Sequence, residues 1–130
     1  MYFINISNHP SNRWNEKQKE AAESMNFKKK RFILDIPFPN VNPTSDNIDI
    51  GILAQEVFEI ITERTCLSFE ETIQNCIFLV QGEFSLTFRI VTHILKKGGT
   101  CVTAASERKV IEEGNKKTSI FEFVKFREYQ

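Results

Sequence analysis

The sequence predicts an α/β fold, a Rossmann-like three-layer sandwich. Its sheet is expected to be mostly parallel, with about five strands and a C-terminal antiparallel edge strand. Three observations predict it. Apolar, strand-like runs alternate with segments of helical periodicity, the pattern of strands covered on both faces by crossover helices. Three of those runs stop at short polar clusters: Ser7-Asn8-His9-Pro10-Ser11, Gln81-Gly82-Glu83 and Ala105-Ser106-Glu107-Arg108. The connection over 107–118 is too short for a helical crossover, so the last run should turn back as an edge hairpin.

Each element follows from local pattern. Residues 2–7, apolar at most positions, form the first strand. Ser11 or Asn12 is the expected N-cap of a helix running to about Met25. Trp14, Gln18, Ala21, Ala22 and Met25 share its inward stripe, where the Gln18 amide must find a partner. Lys28-Lys29-Lys30-Arg31 reads as a solvated turn before the strand 32–36. Pro37-Phe38-Pro39 ends that strand, because proline donates nothing to the ladder. A helix is expected over about 47–64, with Ile50, Leu53, Val57, Ile60 and Ile61 inward. Residues 65–74 are ambiguous, although Ser68 followed by Glu71 can cap one short turn. The third strand is 75–80, and its helix runs from Glu83 to the stop at Gly98-Gly99, with Phe84, Phe88, Val91 and Leu95 inward. The fourth strand is 100–104, 112–117 is a polar turn, and 119–127 is the last strand.

Bulk composition narrows the function. The chain of 130 residues reads as one domain with one core. Seventeen basic residues balance seventeen acidic ones, a poor basis for gripping duplex nucleic acid, though a local phosphate pocket stays open. Cys66, Cys76 and Cys101 are odd in number and have no CxxC spacing, so they read as reduced core thiols. No apolar run reaches the roughly 18 residues that span a bilayer, and no secretion signal is visible. A cytoplasmic protein without a membrane partner is expected.

In an open α/β sheet, ligands bind outside the carboxyl ends of the strands, so the three polar clusters should converge there. Ser7, Asn8 and Ser11 lie between a strand and a helix N-terminus, a place suited to phosphate, or else they form a simple turn. His9 is placed for proton transfer, or it packs beside Trp14. Gly82 allows a ligand close to the backbone beside Gln81, and Ser85 adds a hydroxyl in the next helix. Glu83 is either a helix cap or an acid/base group. Thr103, Ser106 and Arg108 offer donors and one cation, unless Glu107 holds Arg108 in a surface pair. His93 shares a face with Arg89, Lys96 and Lys97 and reads as part of a solvated stripe. No metal-ligand spacing and no cofactor motif is present.

These residues resemble the small CRISPR-associated proteins with a Rossmann-like (CARF-like) domain, of the ring-nuclease type. The likeness lies in the first strand with Ser7 to Ser11, Trp14 and Gln18. It continues in the junction Gln81 to Thr87, and in Thr103 to Arg108 with the closing strand Phe121 to Tyr129. The resemblance implies a homodimer that binds cyclic oligoadenylate and cleaves it without a metal, by attack of a ribose 2′-hydroxyl on the adjacent phosphorus. Ser7, Asn8 and Gly82 would then cradle phosphates and His9 would move the proton. Arg108 would stabilise developing charge, and Trp14 would stack on an adenine or belong to the core. The sequence departs from the family at Gly82-Glu83-Phe84-Ser85, where an acid opposes phosphate unless it points away or acts in proton transfer. Two rival expectations are a non-catalytic sensor of the same messenger and an unrelated nucleotide- or nucleoside-processing enzyme with Glu83 as its carboxylate.

Overall fold

The computed structural model describes residues 1–25 and 30–130. Among them the chain forms β1 (Tyr2–Ser7), a 3-10 turn (Ser11–Arg13), α1 (Glu16–Ser24), β2 (Phe32–Pro37), α2 (Asn47–Thr65) and α3 (Phe69–Asn75). It continues through β3 (Ile77–Gln81), α4 (Phe84–Lys96), β4 (Thr100–Glu113) and β5 (Lys116–Glu128). The strands make one sheet in the order β2-β1-β3-β4-β5. Neighbours are parallel except β4 and β5, which pair antiparallel at the edge. The fold is the expected α/β sandwich.

Strand alternation splits the core into two layers. Ile4, Ile6, Phe78, Val80 and Cys101 pack with α2, α3 and α4 on one face. Phe3, Leu79 and Val102 pack with Trp14 and Ala22 on the other, beneath α1. Phe3, Trp14 and Phe126 join there with ring centroids 5.0–6.2 Å apart. Because β1 is followed by β2 on one side and flanked by β3 on the other, the strand order reverses between β1 and β3. This is the topological switch point, where open α/β sheets leave a crevice.

Several expectations change. The first helix starts at Glu16, not near Ser11, because the Ser11 hydroxyl and N–H both bond Asp35, whereas the Asn15 side chain accepts from Gln18 N–H and caps the helix. Trp14 therefore precedes the helix. In α2 it is Phe58, not Ile60, that joins the buried face. Ser68 and Glu71 do form a full capping box, which starts α3. In α4 the buried stripe is Leu86, Ile90, Val91 and Ile94, while Phe84 and Phe88 are 91% and 73% exposed. His93 is exposed beside the exposed Arg89, Lys96 and Lys97, as expected, and its ring also lies 5.0 and 5.3 Å from those of Phe58 and Phe69. Arg31 is buried, donating to the carbonyls of Met25, Tyr2 and Asn75, so it clamps three segments and is no solvated turn. Lys30 pairs with Glu23 at 2.6 Å. Lys28 and Lys29 lie outside the described residues.

The largest departure is the fourth strand. It does not stop at Ala105. It shifts register at Ala105/Ser106 and runs on to Glu113, forming a long hairpin with β5. Gly114, at φ +61°, takes the first position of a two-residue turn that demands this conformation.

Candidate functional site

A crevice of about 810 Å³ opens at the switch point, on the α1 side of the sheet. Ser7, Gln81, Ala104 and Ser106 stand at its strand ends, and Arg13, Trp14, Asn15 and Gln18 form the helix-side wall. His9 stands on the β1 loop, and Phe121 and Phe123 of β5 complete the lining. The volume lies within the range of about 300–1,000 Å³ typical of small-molecule sites.

A buried polar network holds the β1 loop. The Asn5 amide, 1% exposed, donates to the His9 carbonyl at 2.9 Å and to Asp35 Oδ1 at 2.8 Å. Its Oδ1 accepts from the Ser7 hydroxyl at 2.7 Å, and Ser7 Oγ accepts from His9 N–H at 3.2 Å. Trp14 Nε1–H donates to the same His9 carbonyl at 3.0 Å. Asp35 in turn takes the Ser11 hydroxyl at 2.7 Å. These bonds consume the backbone of His9 and leave its imidazole exposed on the crevice, with no hydrogen-bond partner among the described residues. The hydroxyls of Ser7 and Ser11 thus build the loop.

Gln81 marks where β3 ends while β4 continues. Its Oε1 accepts from Ala104 N–H at 3.0 Å and from the Thr103 hydroxyl at 3.2 Å, standing in for a strand partner. An oxygen so engaged leaves the amide NH₂ of Gln81 without a partner among the described residues, on the crevice lining.

The crevice therefore gathers Ser7, His9, Trp14, Gln18, Gln81 and Ser106 of the residues expected from the sequence. The others fall elsewhere. Asn8 lines a separate hollow of about 270 Å³ over the ends of β1 and β2, with Asp35, Phe38 and Arg64. Gly82 is closed to a ligand: a Cβ there would meet the Phe38 ring at 2.6 Å, and its N–H donates to Thr87 Oγ1. Glu83 caps α4 by accepting from Leu86 N–H at 3.0 Å. Its role as a helix cap is thus realised, and it lines neither hollow. Ser85 is exposed on α4 outside the crevice lining. Arg108 lies out on the hairpin, where its guanidinium donates to Ser119 Oγ at 3.0 and 3.2 Å.

Sequence reasoning passed over Arg13, Asn15, Asn5, Asp35 and Phe121. Arg13 sits beside Trp14 on the wall, exposed and without a salt-bridge partner among the described residues. The signal that could have found it is its place in the same β1-to-helix segment as His9. Asp35 was legible as the one charge inside an apolar strand.

The structure is thus an α/β sandwich with an open crevice, mixed polar and aromatic in its lining, at the switch point, the place where open α/β sheets bind ligands. Residues 1–127 match the Uncharacterized protein MJ1673 family, and the chain belongs to that family. No curated protein and no solved structure matches the chain. Among the described residues no helix is long and apolar enough to cross a membrane.

Proposed function

We propose that this protein binds cyclic oligoadenylate in the switch-point crevice and cleaves it as a ring nuclease, acting in the cytoplasm. The observation that supports the reading is that the unengaged His9 imidazole and the Arg13 guanidinium line the same crevice as the amide of Gln81 and the hydroxyl of Ser106. That set matches what the reaction needs. His9 takes the proton of a ribose 2′-hydroxyl, and the oxygen attacks the adjacent phosphorus. The bond from phosphorus to the 5′-oxygen breaks, and the imidazolium returns its proton to that oxygen. The products are a linear 5′-hydroxyl end and a 2′,3′-cyclic phosphate. Arg13 takes the role the family resemblance gave to Arg108, stabilising negative charge on the phosphorus centre with a bidentate fork. Phe121, 70% exposed on the lining, offers a face on which adenine stacks. Nucleophile, base and charge stabiliser come from the ribose, His9 and Arg13, so the scheme uses no metal ion.

The test is product analysis after incubation with cyclic tri-, tetra- and hexa-adenylate in EDTA. Cleavage to linear products bearing a 2′,3′-cyclic phosphate is expected, lost in His9→Ala and Arg13→Ala and kept in Arg108→Ala. A protein that neither retains nor cuts any ring refutes the reading. One observation favours a non-catalytic sensor as the second reading: Glu83 is occupied as a cap, so among the described residues His9 is the sole titratable acid/base group on the crevice lining. Rings retained intact would select it.

A further inference from the structure

We propose that the β4–β5 hairpin beyond Ser106 is a dimerisation arm, covered in solution by a second copy of this chain. Residues 106–122 are exposed without a break, so this ribbon has neither face packed on the body of the protein. A lone two-stranded ribbon is marginal in water, since it lacks an apolar surface to pack against. Yet this one carries apolar side chains on both faces. The register places Val110 and Phe121 on one face and Ile111 and Ile120 on the other. With Val124 at its base, these five side chains are 40% to 70% exposed.

Two quantities single out a second copy as the occupant. The first is area. At those exposures the five side chains present roughly 400 Å² of apolar surface. A standard interface takes about 800 Å² from each partner, of which somewhat more than half is apolar; because this surface is divided between the two faces of the ribbon, the arm supplies close to one partner's apolar share when a second copy clasps both faces. The second is charge. Residues 106–122 hold four acidic and four basic residues. Two of the possible pairs already form within the arm, Lys109–Glu122 at 2.9 Å and Lys117–Glu112 at 3.4 Å. A surface of balanced, interspersed charge meets itself across a two-fold axis without a like-charge field. It has no basic surplus for nucleic acid or an anionic membrane. Phe121 also lines the crevice, so a partner laid on the arm borders the mouth of the site. The inference rests on the arm alone and stands or falls independently of the ring-nuclease reading.

The test is sedimentation equilibrium of the full chain over a range of concentrations. It is run beside a variant in which residues 107–122 are replaced by an Asn-Gly turn joining Ser106 to Phe123, and beside Val110→Lys/Ile120→Lys. Wild type is expected at twice the single-chain mass of 15.1 kDa, Val110→Lys/Ile120→Lys at that single-chain mass with unchanged far-UV circular dichroism, and the shortened variant at its own, smaller single-chain mass with its helical signal kept. The point variant guards against a folding defect in the shortened one. A wild-type monomer at every concentration overturns the proposal, whether or not it binds RNA or anionic vesicles. So does a dimer that survives removal of the arm.

Discussion

Replacing Asn5 by alanine should unbalance the whole site, and the cost can be worked from its bonds. Asn5 is fully enclosed in β1 and makes three hydrogen bonds: to the Asp35 carboxylate at 2.8 Å, to the His9 carbonyl at 2.9 Å and from the Ser7 hydroxyl at 2.7 Å. A bond to a charged group contributes about 1.5–3 kcal/mol, and each neutral one about 1 kcal/mol. The other ends keep some partners. Asp35 retains both bonds from Ser11, and the His9 carbonyl retains Trp14 Nε1–H. The net loss should therefore fall at about 3–4 kcal/mol, a large fraction of the 5–15 kcal/mol typical of a domain. Urea unfolding followed by the fluorescence of Trp14, the chain's single tryptophan, measures it directly and also reports on the loop. Asn5→Asp, which keeps the shape but sets a second carboxylate against Asp35, should lose at least as much at pH 7. A loss below about 1 kcal/mol in Asn5→Ala would mean that the network contributes nothing net, and that the His9 loop is held by other means.

Further outcomes follow from other contacts. Gly82→Ala drives a methyl into the Phe38 ring and should cost about 1–3 kcal/mol, reduced when Phe38→Leu is added, as thermal unfolding of the single and double variants would show. Of the three thiols only Cys66 is exposed; burial raises that of Cys76 and pushes Cys101 up to about 12. An aromatic disulfide reagent should therefore titrate one thiol in the native protein and three in denaturant, and three fast native thiols would contradict the packing. Burial against Phe58 and Phe69, with Lys97 and Lys96 nearby, holds His93 below the usual 6.5. A lowered histidine binds its proton more readily in the unfolded chain, so this contribution to stability is whole above about pH 6.5. It is lost as pH falls from there through the lowered value. The drop in urea stability between pH 7.5 and 5 should shrink in His93→Gln, and an identical drop would assign the pH dependence to other groups.

The strands were legible because their sequences are nearly continuous apolar runs, which only a strand covered on both faces tolerates. The antiparallel edge was legible from a connection too short to cross over. Helix faces were harder. In α4, Phe84, Phe88, Val91 and Leu95 repeat at the same spacing as Leu86, Ile90 and Ile94, so periodicity alone allows either face inward. The direction in which the chain leaves β3, fixed by Phe38 over Gly82 and by the Glu83 cap, turns the second stripe to the sheet. The β4 half of the arm was hidden because Ser106 to Lys109 reads as a polar terminus. A ribbon with both faces in water has no alternation that marks it as strand.

The site was half legible for a related reason, and the period of two explains which half. Along β1, Phe3, Asn5 and Ser7 point to the α1 side; along β3 so do Leu79 and Gln81; along β4 so do Val102, Ala104 and, beyond the register shift, Ser106. Of their polar members Ser7, Gln81 and Ser106 reach the crevice, while Asn5 holds the His9 loop by its hydrogen bonds. Thr103 alternates to the other side, and its hydroxyl donates to Gln81 Oε1. Gly82 and Glu83 leave the sheet toward α4, on the layer opposite α1. A strand end therefore does not contribute its whole polar cluster to a switch-point crevice. It contributes the residues of one parity, together with the loop that leaves on that same face. Here that loop is the one after β1, which places the proton-transfer group and the cation of the proposed reaction, His9 and Arg13, on a single short segment anchored by Asn5 and Asp35.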